Sequence, residues 1–270
     1  MKILSNSHWH TSIQIAGPEI IIGRTDFIST DSECSATIQV NRKTFLIESA
    51  RWEVYRGQED NASKDILSLK GVEAYLGSGG ALRNALTAET LGANPLSLFS
   101  ETVRGIIQSE TFLYRERGFA DTKSYDEFWN SMYLNTCRYY SSLERVTVKW
   151  EDHISGQRRY DRLYNKFKTV TVSEDGDSLK ASAVMSDSFH ELGVSIVLEK
   201  ESGGLTDVYC SLLRAPDKVC FEAADFSKKL LGEKLAAMSK KEIAIALGSS
   251  QGCVHIIDTW HDLSVALGGL

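Results

Sequence analysis

The chain has 270 residues, 42% hydrophobic and 24% charged, with a formal net charge of −6, a composition that fits one large folded domain or two of ordinary size and excludes a disordered chain. The acidic balance supplies no basic face for nucleic acid, and no run approaches the ~18 apolar residues of a membrane span. The opening MKILSNSHWHTS lacks the apolar core of a signal peptide, and the five scattered cysteines (Cys34, Cys137, Cys210, Cys220, Cys253) argue for reduced thiols in a cytoplasm rather than a secreted disulfide framework.

In chain order, His8-Trp9-His10 would put two histidines on one side of an extended segment, too few ligands to fix a metal. Residues 19–55 read as strands: EIIIGRTDFIS, SATIQVN, KTFLIES and ARWEVYR are rich in β-branched and aromatic residues and alternate where they are not fully apolar. Helical patterns follow from Ala62 to Leu86 and from Leu96 to Thr111. The GSGG at 77–80 lacks the preceding strand and the spacing of a phosphate loop, and reads as a turn between helices. Residues 108–150 are rich in aromatics, with Phe128, Trp129, Tyr133, Cys137 and Tyr140 at helical spacing. They form either a connecting helix packed on the sheet or one wall of an aromatic pocket. The second half repeats the order of the first: FKTVTVS, SLKASAVMS, GVSIVLEK and LTDVYCSLLR read as strands, with helices between Phe221 and Leu267.

The two halves also share residues. STDSECSATIQV (29–40) aligns with MSDSFHELGVSI (185–196), EVYR ending at Arg56 with SLLR ending at Arg214, and 69–86 lies without gaps on 230–247. The expected fold is therefore α+β: two tandem copies of an antiparallel sheet followed by helices, paired as a pseudo-dimer. Residues 1–107 form the first copy, 108–150 an aromatic-rich helical connection, and 151–270 the second copy.

The second copy carries the side chains with chemistry. His190 follows Asp187 at a strand edge, with Cys34 in its place in the first copy; Cys220 follows Pro216; Cys253 and His255 open the last helix. Backbone N–H groups at a helix start stabilise a thiolate, which makes Cys253 a candidate nucleophile. His255 points to another face, shared with Asp258 and Asp262, and Asp258 could orient its imidazole. A zinc site would need Cys220, Cys253, His190 and His255 to converge, but paired zinc-motif spacings are missing, so no metal is assigned. The plain alternative is that the cysteines are small buried residues and the histidines make core hydrogen bonds. Arg159 and Arg162, in RRYDR, could hold a carboxylate or form a solvated strand start.

These residues also carry a resemblance. From about Tyr160 to Leu267 the chain resembles the domain of unknown function 2889 family of bacterial proteins. The matching pattern is Asp187-x-x-His190, an apolar strand, Pro216 ahead of Cys220, Leu231-Gly232, and Gly252-Cys253-x-His255 before an apolar helix. The resemblance implies a site in the second half and names no reaction or cofactor. Two functions are expected from the sequence. One is an enzyme that hydrolyses or cleaves a small organic acid or acyl compound, with His190, Cys253 and His255 catalytic and Arg159 and Arg162 binding substrate. The other is a non-catalytic small-ligand-binding or assembly protein. A homo-oligomer is compatible with both.

Overall fold

Alternating burial along consecutive strands sets the architecture. In β3 (Glu33–Asn41) Cys34, Ala36, Ile38 and Val40 are buried, and in β8 (Glu191–Glu199) so are Leu192, Val194, Ile196 and Leu198. Each strand therefore has one apolar face that a helix must cover. In this computed structural model, which describes residues 1–57, 62–88 and 95–270, the remaining strands are β1 (Lys2–Ile15), β2 (Ile20–Ser29), β4 (Ile47–Arg56), β5 (Ala62–Asp65), β6 (Arg162–Asp175), β7 (Ser178–Asp187) and β9 (Leu205–Arg214). The sheet is large, antiparallel where its pairings are defined, and ordered β5-β4-β3-β2-β1-β6-β7-β8-β9. The helices are α1 (Gly79–Thr87), α2 (Pro95–Ser109), α3 (Thr122–Met132), α4 (Trp150–Ile154), α5 (Lys240–Ala246) and α6 (Val254–Gly268). Among the described residues no helix is long and apolar enough to cross a membrane.

The chain divides into two compact units, one of Met1–Ser7, Asp126–His153 and Lys168–Leu270, the other of His8–Tyr125 and Ile154–Phe167. In the second of these, α2 lies on β2 and β3. The approach is close: a Cβ at Gly23 would come within 2.8 Å of Thr102 and one at Gly105 within 3.0 Å of Ile13 and Thr11, so the two glycines let helix and sheet approach at these crossing points. In the other unit α6 lies on β7 and β8, with α5 and the 3-10 turn Leu235–Ala237 against it.

The two halves match in detail. β2, β3 and β4 start at residues 20, 33 and 47; β7, β8 and β9 start at 178, 191 and 205, each 158 positions later and each of equal length to its counterpart. Register shifts fall between Glu33 and Cys34 and between Gln39 and Val40, and again between Glu191 and Leu192 and between Val197 and Leu198. Gly71 N–H donates to the Ile47 carbonyl and Gly232 N–H to that of Leu205, both at 2.8 Å, and both glycines sit at positive φ, 81° and 84°, where a side chain is strained.

Three local expectations change. The helix expected from Ala62 begins only at Gly79, because Ala62–Asp65 pairs with β4 as a short edge strand. The strand pair KTFLIES and ARWEVYR is one strand, β4. The aromatic stripe is not one helix: α3 ends at Met132, Asn135 takes φ 60°, and Tyr133, Cys137, Tyr139 and Tyr140 sit in turns. Tyr139 and Tyr140 pack with Val219 and Cys220 in a buried cluster.

Candidate active site: an Asp-His turn beneath a helix start

The hairpin between β7 and β8 is built by one carboxylate. Asp187 Oδ1 accepts from the backbone N–H of Phe189 at 2.7 Å and of His190 at 2.6 Å, and lies 3.2 Å from His190 Nδ1. This is the local competition of an Asp side chain for backbone donors that makes a turn. Asp187 N–H donates to the His190 carbonyl at 2.8 Å, closing the loop. Arg214, opposite Glu191 on β9, donates through Nη2 to the carbonyls of Asp187 (2.7 Å) and His190 (3.1 Å), pinning the turn from outside.

His255 comes from another element, the second residue of α6. Its ring stacks on that of His190, centroids 3.9 Å apart and planes 29° from parallel, and its Nε2 is 3.7 Å from Asp187 Oδ2. The Asp187 side chain is 1% exposed, and those of His190 and His255 are 11% and 16%. The carboxylate thus forms the floor of the cluster, and the imidazoles keep an edge toward solvent. Ligating atoms of the three residues lie within 4.8 Å of one another.

Cys253 is the N-cap of α6, with extended backbone (φ −119°, ψ 124°), rather than a residue of its first turn. Its Sγ therefore reaches the His255 ring, 3.8 Å from Nδ1, although helix spacing alone would send the two side chains apart. Burial pushes the Cys253 thiol up to about 12, against the opposing pull of the Ile256 and His255 N–H groups, so at neutral pH it is a thiol, not a thiolate. Gly252 makes the preceding bend, where a Cβ would fall on the Leu247 carbonyl oxygen. Ser141 Oγ donates to the Ser250 carbonyl and Arg138 N–H to that of Gly252 (2.8 and 2.7 Å), fastening the 135–145 segment to this bend. Arg138 and Arg145 both pair with Glu222.

Beside the turn, Trp150 packs on Phe189 at 4.7 Å, and His153 Nε2 lies 2.8 Å from the Pro216 carbonyl. The next residue, Asp217, holds this segment. It accepts from Val219 N–H (2.9 Å) and, through Oδ2, from Thr147 N–H (2.9 Å), Thr147 Oγ1 (2.8 Å) and Val148 N–H (2.9 Å).

The structure brings His190 and His255 together and adds Cys253 beside them. Cys220 lies in the cluster of Tyr139 and Tyr140, its thiol pushed to about 12 by burial, and among the described residues it is not part of the Asp187–His190–His255 group. Arg159 donates to the Leu163 carbonyl at 2.8 Å and stacks over Phe112 at 4.1 Å, both within its own unit, and Arg162 is exposed at the start of β6. The partners expected for the last helix differ as well. Asp258 pairs with Lys240 at 2.5 Å and Asp262 with Lys168 at 2.8 Å, and the carboxylate facing His255 is Asp187. Asp187 was visible in the sequence as the start of an Asp-x-x-His turn, but its approach to a histidine 68 positions further on leaves no spacing signal. Arg214 could have been found only from the strand register.

Residues 165–267 match the family model described as protein of unknown function (DUF2889), so the matched stretch contains the whole Asp187–His190–Cys253–His255 cluster. No curated protein and no solved structure matches the chain.

Proposed function

With the family match covering the second half as premise, we propose that this half carries a hydrolytic or bond-cleaving site for a small organic acid or acyl compound, formed by Asp187, His190 and His255. One observation carries the reading. The same turn occurs between β2 and β3 with serines: Ser29 Oγ accepts from the N–H of Asp31 (3.2 Å) and Ser32 (3.0 Å), and Ser29 N–H donates to the Ser32 carbonyl at 2.8 Å. Arg56 Nη2 donates to the carbonyls of Ser29 (2.7 Å) and Ser32 (3.3 Å), as Arg214 does in the second half. A pair of serines is therefore enough to make the turn. The carboxylate and imidazole at Asp187 and His190 exceed what the fold requires, and His255 meets them from α6.

A carboxylate beside two imidazoles is a proton-handling set: the acid orients a ring, and an imidazole can both accept and donate a proton. Cys253 enters this reading as the group that sets the His255 ring, not as the nucleophile, since a buried thiol at about 12 is a poor attacking group. Arg159 and Arg162 have no part in it.

The same reading treats the chain as an internal duplication whose copies pair like a dimer, with the site kept in one copy. The matched register shifts support it and set the alignment: Ser32, not Cys34, corresponds to His190, and Cys34 to Leu192. The test is turnover of a panel of simple acyl compounds, p-nitrophenyl acetate and an acetyl thioester among them, by wild type, His190→Gln and His255→Gln. Loss of ~100-fold or more in folded variants is expected for an acid–base site. No turnover by wild type, or equal turnover by the variants, refutes the reading.

A further inference from the structure

Resting on that site, we infer that Asp187, His190 and His255 are the protein ligands of one divalent cation of the zinc class. Two imidazoles and a carboxylate, with further positions open, are a donor set that first-row divalent ions take. The geometry is close to what such an ion needs. Asp187 Oδ1 is held by donors of its own turn, which aims Oδ2 at His255 Nε2, 3.7 Å away. That separation is too long for a hydrogen bond and within a few tenths of an ångström of the roughly 3.4 Å between two ligands that lie about 2.1 Å from a tetrahedral ion. The full group, within 4.8 Å, reaches that spacing by a movement of roughly 1.4 Å at its widest.

The two rings already lie together, with centroids 3.9 Å apart, and neutral imidazole is the form that binds metal. The supports are those of a ligand shell. Arg214 pins the turn that carries Asp187 and His190, and Cys253 Sγ lies 3.8 Å from His255 Nδ1. The tautomer that donates Nδ1–H to sulfur would turn its Nε2 lone pair toward Asp187, as oriented metal-binding histidines require. The twin turn, with Ser29 and Ser32 in the corresponding places, offers neither the carboxylate nor the imidazole. A cation here lowers the pKa of a bound water and polarises a carbonyl, which is the chemistry hydrolysis needs.

The test uses the full chain, stripped with a chelator, dialysed into metal-free buffer and titrated with Zn2+ by calorimetry. One zinc per chain is expected, with no comparable uptake of Mg2+ or Ca2+. His190→Gln, His255→Gln and Asp187→Asn should each weaken binding by more than about 10-fold, and Cys34→Ser should not change it. Co2+ in place of zinc should give visible bands of nitrogen and oxygen ligands without a thiolate charge-transfer band. Circular dichroism and urea midpoints establish that each variant is folded, and His255→Gln, on a different element, stands in if Asp187→Asn opens the turn. Substoichiometric zinc, or binding unchanged in the folded His190→Gln and His255→Gln variants, overturns the cation. Acyl turnover by the stripped chain equal to that of the zinc-loaded chain, and lost in His190→Gln, likewise overturns the cation and leaves the site standing. Zinc held by these three residues without turnover of any acyl compound supports the cation and sinks the hydrolytic reading alone.

Discussion

Asp217→Asn should destabilise the protein by about 2 kcal/mol at pH 7 and by almost nothing near pH 2. Burial by itself raises the Asp217 carboxyl, and the N–H groups of Val219, Thr147 and Val148 with the Thr147 hydroxyl more than offset it, holding the group at about 2 instead of 3.8. The residue is 3% exposed, so solvent screens these bonds little. A depression of nearly two units, at 1.36 kcal/mol each, is worth about 2 kcal/mol. Because the folded value is the lower one, this stability is fully present above pH ~4 and disappears as pH falls through about 2. Asparagine lacks the charge and turns an N–H2 toward backbone donors, so it loses the term at every pH. Urea unfolding of both proteins at pH 7, 5, 4 and 3 gives the difference as a shift in midpoint at constant slope. The gap should hold from 7 to 5 and narrow from 4 downward. A gap that is absent at pH 7, or that persists unchanged at the lowest pH where wild type still folds, refutes the argument. The segment that Asp217 holds includes Trp150, which packs on Phe189, so loosening it should also speed amide exchange at Phe189 and His190.

Gly252→Ala should cost at least ~2 kcal/mol in urea unfolding, as overpacking against fixed backbone does, because its Cβ has no space beside the Leu247 carbonyl; Gly193→Ala on β8, where nothing lies within 4 Å, is the control expected to stay within ~0.5 kcal/mol. Equal effects would mean the bend before α6 is not tight. Cys253 is buried and Cys137 half-buried, so iodoacetamide at neutral pH should label Cys253 more slowly in the native protein and at a similar rate in urea; faster native labelling would restore it as a nucleophile. Glu101→Gln leaves Lys166, 2.7 Å away and 6% exposed at its side chain, with a poorer partner. Breaking such a buried pair costs about 3 kcal/mol, and a loss below 1 kcal/mol would show that the site is wetter than its burial implies.

The second half was legible because its signals are local. β7 and β8 alternate cleanly, and Asp187-x-x-His190 announces its own turn. The first strand was not: His8-Trp9-His10-Thr11-Ser12 mixes polar and aromatic residues, with His8 exposed and His10 stacked on Phe167 at 4.3 Å, so β1 carries no simple period. Ala62–Asp65 is too short and polar to read as a strand. Matching the residues of the two halves set Cys34 against His190, whereas the register shifts at 33/34 and 191/192 set Ser32 there, two residues away. The site's second half was misread for a geometric reason. Periodicity treats Cys253 as helical, whereas an N-cap has extended backbone that turns its side chain toward the second helical residue, and α6 faces Lys240 and Lys168 with the aspartates that spacing had given to His255.

The most direct measurement of the central claim is a double-mutant cycle on acyl turnover with wild type, His190→Gln, His255→Gln and the double variant, each verified as folded by its urea midpoint. If the two imidazoles and Asp187 act as one site, each single change removes nearly all the activity and the double variant is no worse than either. Losses that multiply, or a single variant that keeps wild-type turnover, would mean that the stacked histidines do not work together and that the site is not here.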